Sequence, residues 1–204
     1  MSSQFQLNFS GLWPTMLAKR LLPDFERPTQ ELAQHILEVE ARETDLTARY
    51  QQQDLFADKK PCVQWLKKQI NETVTALITQ NGVNHLPSWA LFSWYNVNRF
   101  GDHHAPHTHP HSYLSGTYYV QLPRHQNDPL VENPHSGCIS FYDPRNGANM
   151  ITTGSEPDSR PVYRVTPSPG TLLIWPSPLQ HAVYPNLSGD LRISISFNVI
   201  VDKK

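Results

Sequence analysis

The chain has 204 residues, a formal net charge of −1 and 38% hydrophobic content. That is enough apolar material for one core. It offers no basic stripe for a nucleic acid, no polybasic segment for an anionic membrane, and no apolar run near the roughly 18 residues of a membrane-spanning helix.

The opening MSSQFQLNFSGLWPTM has neither a charged n-region nor a continuous apolar h-region, so a cytoplasmic location is expected. Cys62 and Cys138 could form one disulfide by arithmetic, but nothing resembles a disulfide framework. Prolines outnumber glycines 18 to 9, which favours many short elements joined by stiff turns.

Helices come first. Leu32, Ile36, Val39 and Leu46 space like one helical face, in a segment predicted to start after Pro28 and run to about Gln53. Val63, Leu66, Ile70, Val74, Leu77 and Ile78 repeat the pattern more cleanly, from near Pro61 to the stop signal Asn81-Gly82. After Pro87 the texture changes. WALFSWYNVN, SYLSGTYYVQL, GCISFYD, VYRVT, TLLIWP and LRISISFNVIV are short, rich in β-branched and aromatic residues, and separated by turn formers. The order predicts an α+β protein. Residues 1–86 form a helical part packed on a β-sandwich or barrel of residues 87–204, all within one domain.

Two strands define faces by alternation. Ile193, Ile195, Phe197, Val199 and Val201 oppose Arg192, Ser194, Ser196 and Asn198. Leu114, Tyr118, Val120 and Leu122 oppose Tyr113, Ser115, Thr117, Tyr119 and Gln121. Either the apolar faces point to a core and the polar ones to water, or the polar faces line a barrel while helices cover the apolar ones.

Residues 103 to 111 read HHAPHTHPH, five histidines in nine. His107 and His109 flank Thr108, and in extended chain residues i and i+2 point the same way, about 7 Å apart. Two imidazoles so placed can converge on one metal ion, as could His109 and His111. His181 can supply a third ligand, leaving open positions for substrate and O2. The remaining histidines (35, 85, 103, 104, 111, 125 and 135) read as surface groups. Eleven residues after His181 comes Arg192, whose planar fork can bind a carboxylate, with Ser194 on the same strand face.

This order of HxH, Tyr-bearing strand, His and R-x-S resembles the Fe(II)- and 2-oxoglutarate-dependent oxygenases. More narrowly it resembles a bacterial family of such oxygenases of unknown substrate. NRFGDHHAPHTHPHSYLSGTYYVQLP, FYDPR, PGTLLIWPSPLQHAVYP and RISISFN carry the likeness, with LWPTML near the N-terminus.

The resemblance implies a double-stranded β-helix, a jelly-roll barrel. It implies Fe(II) on His107 and His181, with His109 where the superfamily usually has a carboxylate. It also implies 2-oxoglutarate held by Arg192, Ser194 and Tyr119, O2 as co-substrate, and oxidation of a substrate C–H bond. A carboxylate would neutralise one charge of Fe(II), whereas three imidazoles neutralise none. Either His109 ligates, or a water, a halide or another carboxylate fills the gap. Asp143 of FYDPR is the carboxylate to check, its plainer role being a turn residue before Pro144. Trp94 and Trp175 either line the pocket or pack in the core.

Two other readings stand beside this one. A cupin or three-histidine dioxygenase would use no 2-oxoglutarate. Cupins, however, place a glutamate soon after HxH, where PHSYLSG has none, and a histidine close after PxG, where ten residues intervene. A binding protein with a degenerate site is the other. The substrate, a small molecule or a protein, is not legible; a homodimer is the commonest symmetric assembly.

Overall fold

A computed structural model of the protein describes residues 15–42, 54–83, 85–123, 135–145 and 161–201. A short strand β1 (Ala18–Leu21) precedes helices α1 (Glu26–Glu40) and α2 (Pro61–Gln80). α2 starts and stops where the sequence predicts. Pro61 takes the first helical position, where its missing N–H is no loss, and the Asn81 and Gly82 amides close the last turn.

α1 differs from the expectation. It starts at Glu26, so Pro28 sits inside the first turn, where an N–H has no intrahelical partner anyway. It ends at Glu40. Leu46 and the expected continuation to Gln53 lie outside the described residues, as do residues 12–14 of LWPTML. No described helix is long and apolar enough to cross a membrane, and Cys62 and Cys138 are separate buried thiols.

The remaining strands are β2 (Trp89–Asn98), β3 (His104–His107), β4 (Leu114–Gln121), β5 (Ile139–Tyr142), β6 (Val162–Val165), β7 (Thr171–Pro176), β8 (His181–Val183) and β9 (Arg192–Val201). They pair antiparallel in two sheets, ordered β1-β7-β4-β9-β2 and β3-β8-β5-β6. The chain crosses repeatedly between the sheets, which makes the expected jelly roll. β1, β3 and β8 were not foreseen; three or four residues are too few for alternation to register.

The sheet faces follow the second of the two possibilities. Leu114, Tyr118, Val120, Ile193, Ile195, Phe197 and Val199 pack outward against Leu32, Ile36, Val63, Leu66, Ile70 and Val74 of the helices. Each such side chain fully buried contributes roughly 1.5–3 kcal/mol. Tyr119, Leu173 and Trp175 face the other way and meet Ile139, Phe141, Val165 and Val183 between the sheets. The polar face of β9, with Arg192 and Ser194 fully buried, therefore lies inside the barrel.

Leu122 is a correction. It packs between the sheets, not with Leu114, Tyr118 and Val120, because the β4–β9 register shifts between Tyr119 and Gln121 and alternation ends there. Gly116 is fixed by close approach: a Cβ there would lie 2.2 Å from Phe197 Cζ and 2.6 Å from the Leu173 carbonyl oxygen. The free edge of β2 is covered as well. The Asp54 carboxylate accepts from the Ser93 N–H at 2.9 Å and its hydroxyl at 2.7 Å.

Candidate active site

β3 delivers His107 directly opposite His181, the first residue of β8. The chain then leaves the strand, and the His109 N–H donates to the Ser177 carbonyl at 3.2 Å. That bond ties the second histidine to the turn after β7. The ligating nitrogens of His107, His109 and His181 all lie within 4.8 Å of one another. His109 Nε2 and His181 Nε2 are 3.3 Å apart. Two nitrogens each about 2.1 Å from one ion would stand roughly 3 Å apart, so the spacing suits a shared metal.

The outer nitrogens are already occupied. His107 Nδ1 meets the Ala105 carbonyl at 2.7 Å, and His181 Nδ1 meets that of Leu179 at 3.0 Å. Only a protonated Nδ1 can bond a carbonyl, so both rings keep the Nε2 lone pair free for an ion. Burial, then the Leu179 contact and the neighbouring imidazoles, set His181, which is pushed down to about 3. Burial and then His107 push His109 down to about 4. Neutral imidazoles are the ligating form.

Trp175 packs edge-on to His181 at 4.8 Å and Trp94 lies 5.7 Å from His109. Trp175 is also part of the core between the sheets, so it serves both roles weighed for it.

The other sequence candidates sort clearly. His111 is an exposed turn residue with φ 68° and does not join the cluster. Asp143 does not join it either. Its carboxylate accepts from the Arg145 amide at 2.9 Å and from the Arg145 guanidinium, which holds it below the usual carboxylate range. Among the described residues no carboxylate belongs to the cluster.

Two histidines read as surface groups are not. His35 is 8% exposed and bridges the Asp58 carboxylate, at 2.9 Å, and the Lys60 ammonium, also at 2.9 Å, tying α1 to the segment before α2. His104 points into the barrel, its ring 6.4 Å from that of His107. Burial first, then the Arg192 charge and His107, push it down to about 4. Strand spacing alone could not find it, because an irregularity in β3 sets its direction.

Deeper in the barrel lies Arg192, 1% exposed. Its Nε donates to the Gly137 carbonyl at 3.1 Å, and one terminal nitrogen donates to Asn98 Oδ1 at 3.0 Å and Ser194 Oγ at 3.2 Å. Gly137 adopts φ 67°, a conformation natural to glycine. The guanidinium carbon sits over the Tyr119 ring, 5.4 Å from its centre. All three acceptors are neutral; among the described residues no carboxylate pairs with this cation.

Among the described residues the Tyr119 hydroxyl is buried without a hydrogen-bond partner, with the Arg192 guanidinium as its charged neighbour. Its neighbour Tyr118, on the outer face, bonds Thr29 of α1 instead. A buried cation and a buried donor side by side can receive an anion. Arg192, Ser194 and Tyr119 thus come together as the sequence suggests, with Asn98 and Gly137 added.

A family profile described as "Putative 2OG-Fe(II) oxygenase" matches residues 92–198. No curated protein matches the chain as a relative. Solved structures are similar over most of the chain. A Pseudomonas putida prolyl-4-hydroxylase is 14% identical with TM-score 0.64, covering 92% of this chain and 93% of that one. A prolyl hydroxylase from Trichoplax adhaerens, solved with a hypoxia-inducible-factor peptide, is 14% identical with TM-score 0.58 over 91% and 83%. HygX from Streptomyces hygroscopicus, solved with nickel and 2-oxoglutarate, is 10% identical with TM-score 0.54 over 92% and 82%. At these identities the likeness establishes a shared fold.

Proposed function

Starting from the fact that the chain belongs to this family of 2-oxoglutarate- and Fe(II)-dependent oxygenases, we propose that His107, His109 and His181 hold the iron and that Arg192, Ser194 and Tyr119 hold the oxoacid. The observation that carries the assignment is Arg192. A buried guanidinium that no described carboxylate pairs, beside a Tyr119 hydroxyl with no hydrogen-bond partner among the described residues, fits the distal carboxylate of 2-oxoglutarate. The histidine cluster lies at the other side of His104, where a chelating 2-oxo acid would meet the metal.

When bound, iron and 2-oxoglutarate would supply, with O2 as oxidant, oxidative decarboxylation to succinate and CO2 coupled to oxidation of a substrate C–H bond, one oxygen atom going to succinate and one to the substrate. The chain's own groups position and shield. Arg192 offers its fork, Tyr119 donates one hydrogen bond, and Ser194 keeps the fork oriented. Trp175 and Phe141, packed 5.0 Å apart beside His181, keep water from that side of the cluster. Trp94 stands beside His109, only partly buried, and forms one wall of the approach. His109 replaces the usual carboxylate as ligand, which leaves the charge of the ion less compensated and favours anionic co-ligands. The protein works in the cytoplasm as a hydroxylase-type oxygenase on a small molecule or protein side chain.

The test is a titration of 2-oxoglutarate into anaerobic Fe(II)-loaded protein. A visible charge-transfer band of the chelated 2-oxo acid is expected, weakened by Arg192→Ala. Iron binding without a band would remove the 2-oxoglutarate assignment.

A further inference from the structure

His104 has no part in the proposed ligand sets, yet it faces the barrel interior. The cause is a local irregularity. His104 opposes Val183 and His107 opposes His181, so three steps along β3 match two along β8. In a regular strand, residues three apart point to opposite faces. The extra residue brings both rings to one face, 6.4 Å apart, and turns Ala105 and Pro106 outward to solvent.

The inward ring meets Asn98. Asn98 Nδ2 lies 3.4 Å from His104 Nε2, and an amide nitrogen can only donate, so Nε2 accepts and the ring proton sits on Nδ1. The other end of the same amide, Oδ1, accepts from the Arg192 guanidinium at 3.0 Å. An amide is nearly symmetric in shape, and its partners decide which end points where. Flipped, Asn98 would present N–H groups to a buried cation. Arg192 already disfavours that arrangement; His104 adds an acceptor that holds the other end. The Asn98 backbone is fixed as well, by its β2–β9 pairing with Arg192 and by Asn186 Nδ2 on its carbonyl at 3.1 Å.

We propose that His104 is a positioning residue of the oxoacid site, fixing the Asn98 amide and through it the Arg192 fork that receives the distal carboxylate. The role rests on the assignment of Arg192 to 2-oxoglutarate made above. It separates His104 from the three neighbouring histidines: His104 orders the carboxylate end of the pocket, while His107, His109 and His181 order the metal end.

The experiment measures 2-oxoglutarate affinity by calorimetry on manganese-loaded protein, with bound metal per chain determined in parallel. His104→Gln keeps an acceptor within reach of Asn98; His104→Leu removes it. Losing one neutral hydrogen bond of this kind weakens binding about three- to tenfold. His104→Leu is expected to raise the Kd by that factor, to leave metal stoichiometry at the wild-type value, and to discriminate less between 2-oxoglutarate and the monoacid 2-oxobutyrate. His104→Gln is expected to restore most of the affinity. His104→Ala removes the same acceptor with a smaller side chain and stands in if the leucine variant fails to fold.

An unchanged Kd in His104→Leu, or equal losses in the Gln and Leu variants, would overturn the positioning role. So would a loss of bound metal, which would make His104 a ligand. If wild-type protein binds metal but no 2-oxoglutarate, the reading of Arg192 fails first and takes this role with it.

Discussion

Replacing Tyr119 by phenylalanine should shift stability and ligand affinity in opposite directions. The hydroxyl is fully buried and, among the described residues, has only the Arg192 guanidinium beside it and no well-formed hydrogen bond, so folding strips its water and returns little. Such a group costs roughly 1–3 kcal/mol. Phenylalanine keeps the ring under the Arg192 guanidinium, 5.4 Å away, and removes only the oxygen. The ligand-free variant should therefore be more stable by about 1 kcal/mol, which for a chain of this size raises Tm by about 2–4 °C.

Binding should suffer. Burial pushes the Tyr119 hydroxyl well above its ordinary range, so it stays a protonated donor at any working pH. A hydrogen bond to a charged carboxylate is worth roughly 1.5–3 kcal/mol, so its loss should raise the 2-oxoglutarate Kd by about ten- to a hundredfold. Scanning calorimetry of metal-free protein and titration calorimetry of manganese-loaded protein read the two effects separately. A variant that melts lower, or that binds 2-oxoglutarate as well as wild type, would refute the receptor described for the carboxylate.

Asp143→Ala should leave bound metal per chain unchanged by elemental analysis, because its carboxylate is committed to Arg145; a loss would make it a ligand. Gly116→Ala should destabilise by about 1–3 kcal/mol in urea unfolding. Adding Phe197→Leu should recover only part of that, because the Leu173 carbonyl still blocks the new methyl. In the metal-free protein burial pushes His104 and His109 down to about 4 and His181 down to about 3, below the roughly 6.5 of an unfolded imidazole. The unfolded chain then binds more protons. Stability should be complete above about pH 6.5 and fall as the pH drops from there toward about 3. Urea midpoints at pH 7.5 and 5 measure this, and His181→Gln should reduce the difference without removing it, because His104 and His109 remain.

Much of the architecture follows from local pattern. The 3.6-residue spacing of Val63, Leu66, Ile70 and Val74 makes one helical face, and the period of two in Ile193, Ile195, Phe197 and Val199 makes one strand face; both are properties of neighbouring residues. The order HxH, His, R-x-S was equally plain, and its members gather in one barrel. Alternation also separated Tyr118 from Tyr119, which the structure places on opposite sides of the sheet.

What the sequence determined by itself, then, is which residues share a face and which types of side chain lie in order along the chain. The tertiary structure decided which face turns inward, because that depends on helices packing from a distant part of the chain. It decided that His104 joins the pocket and Leu122 leaves its expected face, because a register shift between strands far apart in sequence reverses alternation without any local mark. It also decided that Asp143 pairs with Arg145 and stands apart from the histidine cluster, and that the Tyr119 hydroxyl is buried beside Arg192. Each of those outcomes is a contact, or a missing one, between groups that only the folded chain brings together.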